Sequence, residues 1–258
     1  MWWAWRSQSK CSVNHLRKRH NPAPNIIVSR YVGYGDDRWV AAEWMTVAGR
    51  VVASVVAGFA RLVTRAKVRW LGEMPTPEQC LYFANHSSHM DFVVLWSLLP
   101  SDVRQKTRPV AAKDYWSSGL KRLLACDVFH AVLVDRASKP AAIGSDAEAQ
   151  RSQAIRPLID VLVGGESLIL FPEGTRGDGR EVARFKSGLY NLCVARPGLK
   201  LVPVYLENLN RVLPKGGFVP IPTSSTVTFG LPIRLHEGEG REAFLVRARE
   251  VLVALKDA

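Results

Sequence analysis

Within seven residues, NHSSHMD from Asn85 to Asp91, a strand has to end and a helix has to begin. Upstream, CLYFA at 80 to 84 is apolar and aromatic and follows the turn-forming Pro75 and Pro77, which marks it as a buried strand. Downstream, DFVVLWSLL at 91 to 99 is apolar until Pro100, which cannot continue a helix, and Ser88 stands where it can cap the first turn. On one continuous helix, residues five apart point about 140° away from each other. His86 and Asp91 therefore meet only if the histidine lies in the loop at the strand's end and the aspartate in the first helical turn.

That placement has chemical content. A carboxylate at a helix N-terminus is held ionised by the macrodipole, worth roughly 0.3 to 1 kcal/mol. Bonded to one imidazole nitrogen, it fixes the tautomer and leaves the other nitrogen free to take a proton. This is the orienting half of a serine-type triad without its serine, which points to a general base acting on a hydroxyl supplied by the substrate. Ser87 and Ser88 lack the glycine-flanked elbow of a nucleophilic serine. Two other readings of the same segment stand beside this one. His86 is a satisfied polar residue at a helix start, or His86, His89 and Asp91 form the H-x-x-H-x-D ligands of a metal.

A second segment decides between them. ESLIL at 166 to 170, after the turn signal Gly164-Gly165, runs as a strand into FPEGTR at 171 to 176. VLVDR at 132 to 136 is a hydrophobic strand ending in Asp-Arg, and LVPVYL at 201 to 206 is a strand built around Val-Pro-Val. In this order the four segments resemble the motifs of the glycerolipid acyltransferase superfamily typified by the 1-acylglycerol-3-phosphate O-acyltransferases. FKSG at 185 to 188 and AAKDYW at 111 to 116 fit flanking segments of the same family. The ordered set, over residues 80 to 206, carries far more weight than H-x4-D alone.

The resemblance implies a catalytic His86–Asp91 pair and an acceptor site made from Arg136, Glu173, Gly174, Thr175, Arg176 and Lys186, with Lys113 near the thioester oxygen or the donor's phosphates. Arginine suits the role because its planar fork grips phosphate at two points, and strand ends form the ligand crevice of an open α/β sheet. Gly174 lets the backbone turn close to a ligand and Thr175 can donate a hydrogen bond. Glu173 either holds a hydroxyl or braces an arginine. The competing readings are ion pairs of Arg136 with Asp135 and Arg176 with Glu173, and solvated charges for both lysines. The resemblance further implies acyl-CoA or acyl carrier protein as donor, no cofactor, no metal, and a largely parallel sheet with its active site facing the membrane. Glycerol 3-phosphate, lyso-ornithine lipid and other lysophospholipids are alternative acceptors.

Composition fits a lipid-facing α/β enzyme. The 258 residues suffice for one catalytic domain with an N-terminal appendage. A net charge of +12 favours anionic partners, and in the absence of a nucleic-acid-binding motif the expected one is an anionic membrane surface. Cys11, Cys80, Cys126 and Cys193 have no C-x-x-C spacing, which suits a reduced compartment. The expected location is the cytoplasmic face of the inner membrane.

Three regions follow. Residues 1 to 38 begin with thirty residues rich in arginine, lysine and tryptophan and free of acids, and read as flexible or interfacial. Residues 39 to 66 form an amphipathic helix whose longest charge-free stretch, between Arg50 and Arg61, is well short of the ~20 residues of a membrane span. Plotted at about 100° per residue, Glu43, Arg50, Ser54, Arg61 and Arg65 fall on one stripe, leaving Trp44, Val47, Val51, Val55, Phe59 and Val63 as a broad apolar flank suited to the bilayer interface or to the catalytic domain. Residues 67 to 258 are the catalytic domain, with strands expected at 107–112, 128–134, 166–171, 200–206 and 225–229 and helices at 114–125, 148–163, 186–195 and 240–256.

Overall fold

The computed structural model describes residues 47–116, 119–135, 145–212, 221 and 223–258. The chain divides into two compact units, Met1–Arg30 and Tyr31–Ala258. The first unit lies outside the described residues, and so do the expected flexible segment over 1–38 and the amphipathic helix before residue 47.

Within the second unit the order is α1 (Val47–Thr64), β1 (Lys67–Trp70), β2 (Cys80–Ala84), α2 (Asp91–Leu98), α3 (Ser101–Gln105), β3 (Thr107–Ala112), α4 (Lys113–Trp116) and α5 (Gly119–Leu123). A π-helical turn, Leu124–Val128, then leads to β4 (Val132–Val134), α6 (Ser145–Val163), β5 (Ser167–Leu170), α7 (Gly188–Ala195), β6 (Lys200–Glu207), α8 (Leu209–Val212), β7 (Thr226–Phe229) and α9 (Arg241–Ala254).

The seven strands among the described residues make one sheet in the order β1-β7-β6-β2-β5-β3-β4. Strands β6, β2, β5, β3 and β4 are parallel neighbours, whereas β7 pairs antiparallel with β6 and carries β1 beside it. The sheet is therefore mostly parallel and flanked by helices, with one reversed pair at an edge. Because five strands run the same way, their carboxyl ends share one rim, where an open α/β sheet places its ligands. His86 follows β2, the FPEGTR segment follows β5, and Lys113 follows β3.

β2 is buried along its whole length because both faces of the sheet are covered. Cys80, Tyr82 and Ala84 face the layer of α1 and α2, and Leu81 and Phe83 face the layer of α6, α7 and α9, following the two-residue period of a strand. That explains an apolar run without alternation. In α1, Ala53, Ala57, Ala60 and Val63 join the core beside α2.

Two expectations need correction. The helix expected over 114–125 is divided between α4 and α5, and Gly119, which opens α5, has a φ of +59°. The strand expected over 128–134 is only Val132–Val134. Val128 and Phe129 are apolar because the π-helical turn buries them, and His130 at φ +48° reverses the chain before the strand begins.

Candidate active site

The loop between β2 and α2 brings His86 and Asp91 together. Nδ1 of His86 lies 2.9 Å from Oδ2 of Asp91. A carboxylate only accepts, so Nδ1 carries the proton and Nε2 is left as the ring nitrogen for a substrate. The Asp91 side chain is fully buried and that of His86 is 21% exposed, which gives an oriented base with access to solvent. The same Oδ2 accepts the amides of Ser87 at 2.6 Å and Ser88 at 2.8 Å. Ser88 was expected as the helix cap, but this carboxylate, a stronger acceptor than a hydroxyl, takes the loop amides instead. The Ser88 hydroxyl accepts the Met90 amide, at 3.3 Å.

Glu173 locks the second loop onto the first. Its side chain is 3% exposed. Oε1 accepts the His86 amide at 2.7 Å and Oε2 the Ala183 amide at 2.8 Å. Gly177 donates its amide to the His86 carbonyl at 2.8 Å, and the Phe171 ring stacks on the imidazole with centroids 4.3 Å apart. Burial raises the Glu173 carboxyl above its ordinary value, and the two backbone amides partly offset that. Glu173 thus holds the histidine loop in place. Its two oxygens bond the backbone amides of His86 and Ala183 rather than the Arg176 guanidinium.

Gly174 has a φ of +69°, and a Cβ there would lie 2.7 Å from Nζ of Lys186, so the lysine crosses directly over the glycine. Thr175 is exposed, Arg176 half-buried and Lys186 exposed, all at the rim. Lys113, exposed at the end of β3, lies 3.7 Å from Asp135. Arg136 lies outside the described residues. Strand β4, which leads to it, is two places from β5 in the sheet, about 10 Å at ordinary strand spacing.

His89 does not join His86 and Asp91. Its ring stacks on Tyr115 at 4.2 Å, and among the described residues no three side chains of metal-ligating type are gathered. The residue that motif reading passed over is Asn85. It is 7% exposed and clamps β6, its Nδ2 donating to the Leu206 carbonyl at 2.8 Å and its Oδ1 accepting the Leu206 amide at 2.7 Å. Its signals in the sequence were a polar residue directly after a fully apolar strand and its place at the head of NHSSHMD. Beside Ser87, on the β6 side, opens a polar cleft of about 370 Å³ lined by Asp178, Arg180, Glu207 and Arg211.

With this geometry in view, residues 65–207 match the family described as Acyltransferase. The chain belongs to the acyltransferase family. It is 32% identical over 192 residues to a 1-acyl-sn-glycerol-3-phosphate acyltransferase of Limnanthes alba, covering 73% of this chain and 62% of that protein. It is also 28% identical to the protein of that name from Escherichia coli (strain K12), over 51% of each chain. This acyltransferase-family chain therefore spans less than two thirds of the length of these relatives. Its fold resembles that of the 1-acyl-sn-glycerophosphate (LPA) acyltransferase PlsC from Thermotoga maritima, with a TM-score of 0.61 and 20% identity over 81% of this chain and 80% of the other.

Proposed function

We propose that this protein transfers a fatty acyl group from acyl-CoA or acyl carrier protein to the free sn-2 hydroxyl of 1-acylglycerol 3-phosphate, giving phosphatidic acid. The observation that carries the reading is the buried Asp91 carboxylate on Nδ1 of a partly exposed His86, at the carboxyl rim of the sheet. The names of the relatives agree with it.

In this reading, Nε2 of His86 takes the proton of the acceptor hydroxyl as its oxygen attacks the thioester carbonyl, and Asp91 stabilises the imidazolium. The tetrahedral intermediate collapses by expelling thiolate, which recovers the proton from the imidazolium. Arg136, Arg176 and Lys186 hold the acceptor's phosphate, with Thr175 as a further donor, so that the hydroxyl lies within ~3 Å of the imidazole. Backbone amides of the first motif are natural oxyanion donors, but those of His86, Ser87 and Ser88 are engaged by Glu173 and Asp91. The oxyanion charge falls instead to Lys113.

The protein acts at an anionic membrane surface, on the cytoplasmic face. Among the described residues no helix is long and apolar enough to cross a membrane. On α1, however, Val51, Val55, Phe59 and Leu62 are 55, 64, 53 and 74% exposed in one stripe, the pattern of a helix lying in a bilayer interface.

The test is thiol release from palmitoyl-CoA with lysophosphatidic acid in vesicles, compared with a panel of other acceptors. Release should require acceptor, ignore chelator, and fall by at least about 100-fold in a folded His86→Ala variant. Undiminished turnover in that variant would sink the assignment, and chelator-sensitive release without acceptor would point to a metal-dependent hydrolase.

A further inference from the structure

Where α1 meets the end of α2, two arginines share one acceptor. Arg61 of α1 donates through Nη2 to the carbonyl of Ser97, and Arg104 of α3 donates through Nη1 to the same oxygen at 3.5 Å. Arg104 also lies over the Trp96 ring, 4.9 Å from its centroid. Among the described residues neither guanidinium is paired with a carboxylate. The acid nearest in sequence, Asp102, is exposed on the same short helix.

What they share is the C-terminus of α2, whose unsatisfied carbonyls carry about half a negative charge. Half a charge against two leaves the site positive by about one and a half. Burial and the neighbouring Arg61 both lower the Arg104 pKa from its ordinary value, as expected where two like charges are pressed together. Such a pair suits an anion that takes both planar forks, and phosphate has that geometry.

The surroundings say which phosphate. Around α1, the small buried side chains Ala53, Ala57 and Ala60 occupy one face, and the exposed Val51, Val55, Phe59 and Leu62 occupy the next. Arg61 falls at the edge of that exposed stripe at about 100° per residue, and it is exposed. Apolar ridge and arginine pair thus adjoin on one surface, in the order in which a phospholipid presents its chains and its headgroup phosphate.

We propose that Arg61 and Arg104 form a binding site for the headgroup phosphate of an anionic phospholipid, at the edge of the apolar ridge of α1. The site rests on the membrane-docking reading above and adds to it a named contact that selects anionic lipid and sets the angle at which the catalytic rim meets the bilayer.

The experiment measures cosedimentation of the full chain with vesicles of phosphatidylcholine and with vesicles that also contain phosphatidylglycerol. Wild type should prefer the anionic vesicles, and Arg61→Gln/Arg104→Gln should lose about ten- to thirtyfold of that preference, the effect of two cations near the surface, while keeping its binding to phosphatidylcholine. The single Arg61→Gln change, at an exposed position, serves if the double variant fails to fold. Arg196→Gln/Arg241→Gln removes the same charge elsewhere and should keep the preference. An equal loss in that control would show that net charge acts diffusely, and a preference surviving in Arg61→Gln/Arg104→Gln would show that the pair takes no part. Either result overturns the site. Phe59→Ser/Leu62→Ser should weaken binding to both kinds of vesicle. If it changes the oligomeric state instead and leaves vesicle binding intact, the ridge joins copies of the chain, and docking and site fall together.

Discussion

At the residue scale, two buried carboxylates one loop apart do different work. Asp91 acts on the imidazole, whereas Glu173 acts on the backbone around it. The Glu173 carboxyl is raised above its ordinary value by burial, so between the ordinary and the raised value the folded protein holds more protons than the unfolded chain. Its contribution to stability is therefore fullest below the ordinary carboxylate range and declines as pH rises through the raised value. Thermal melting of wild type and Glu173→Gln between about pH 4 and 7 should show that part of the slope disappear in the variant. The variant should also start about 1 to 3 kcal/mol lower, because an amide offers one acceptor oxygen where two backbone amides need one each. An unchanged slope would assign the pH dependence to other groups. Gly174 belongs to the same scale. Its positive φ strains any side chain placed there, although the flexible Lys186 chain lying across it can move aside, so the glycine in FPEGTR has a backbone reason as well as a chemical one.

At the element scale, α1 has two faces with different tasks. Its alanines let it come close to α2, while Val51, Val52, Val55, Phe59 and Leu62 stay outside. Ala57→Leu should cost about 1 to 3 kcal/mol in chemical denaturation, because three carbon atoms are forced into a filled contact. The outward Val55→Leu change should be nearly neutral, and equal costs at the two positions would contradict this division. Helical periodicity alone separated a charged stripe from a broad apolar flank, and it placed Val63 on that flank with Val51, Val55 and Phe59. It could not say that Val63 would be buried and the others not, because that depends on which arc of the helix the neighbouring α2 covers. The breaks at Gly119 and in the π-helical turn were hidden for a similar reason. Val128 and Phe129 suit a strand by composition, but Val128 ends the π-helical turn and Phe129, next to it, packs edge-on against Phe92 and Trp96 of α2.

At the scale of the whole molecule, the sheet order decides which loops meet. β2 lies between β5 and β6, so the histidine loop touches the FPEGTR loop on one side and the end of β6 on the other. Asn85 closes the second side with two hydrogen bonds to Leu206. Asn85→Ala leaves a buried N–H and a buried carbonyl unpaired and should cost about 2 to 6 kcal/mol, at 1 to 3 for each. On the proposed reaction, in which His86 is the base and other residues hold the phosphate, it should also lower the catalytic rate with little change in acceptor KM. A fall in stability without any loss of rate would confine Asn85 to the scaffold.

Much of this was legible in the chain. The strand into NHSSHMD, the helix after it, the strand into FPEGTR and the α/β class follow from local patterns, because apolar runs, prolines and glycines act over a few residues, whereas the mostly parallel sheet was expected only from the family resemblance. So does the meeting of His86 with Asp91, five positions apart across one loop. The role of Glu173, the clamp made by Asn85, the reversed β1–β7 edge and the Arg61–Arg104 pair join residues tens to more than a hundred positions apart. No periodicity carries such information. Strand order and helix packing create those contacts, and only the folded chain decides them.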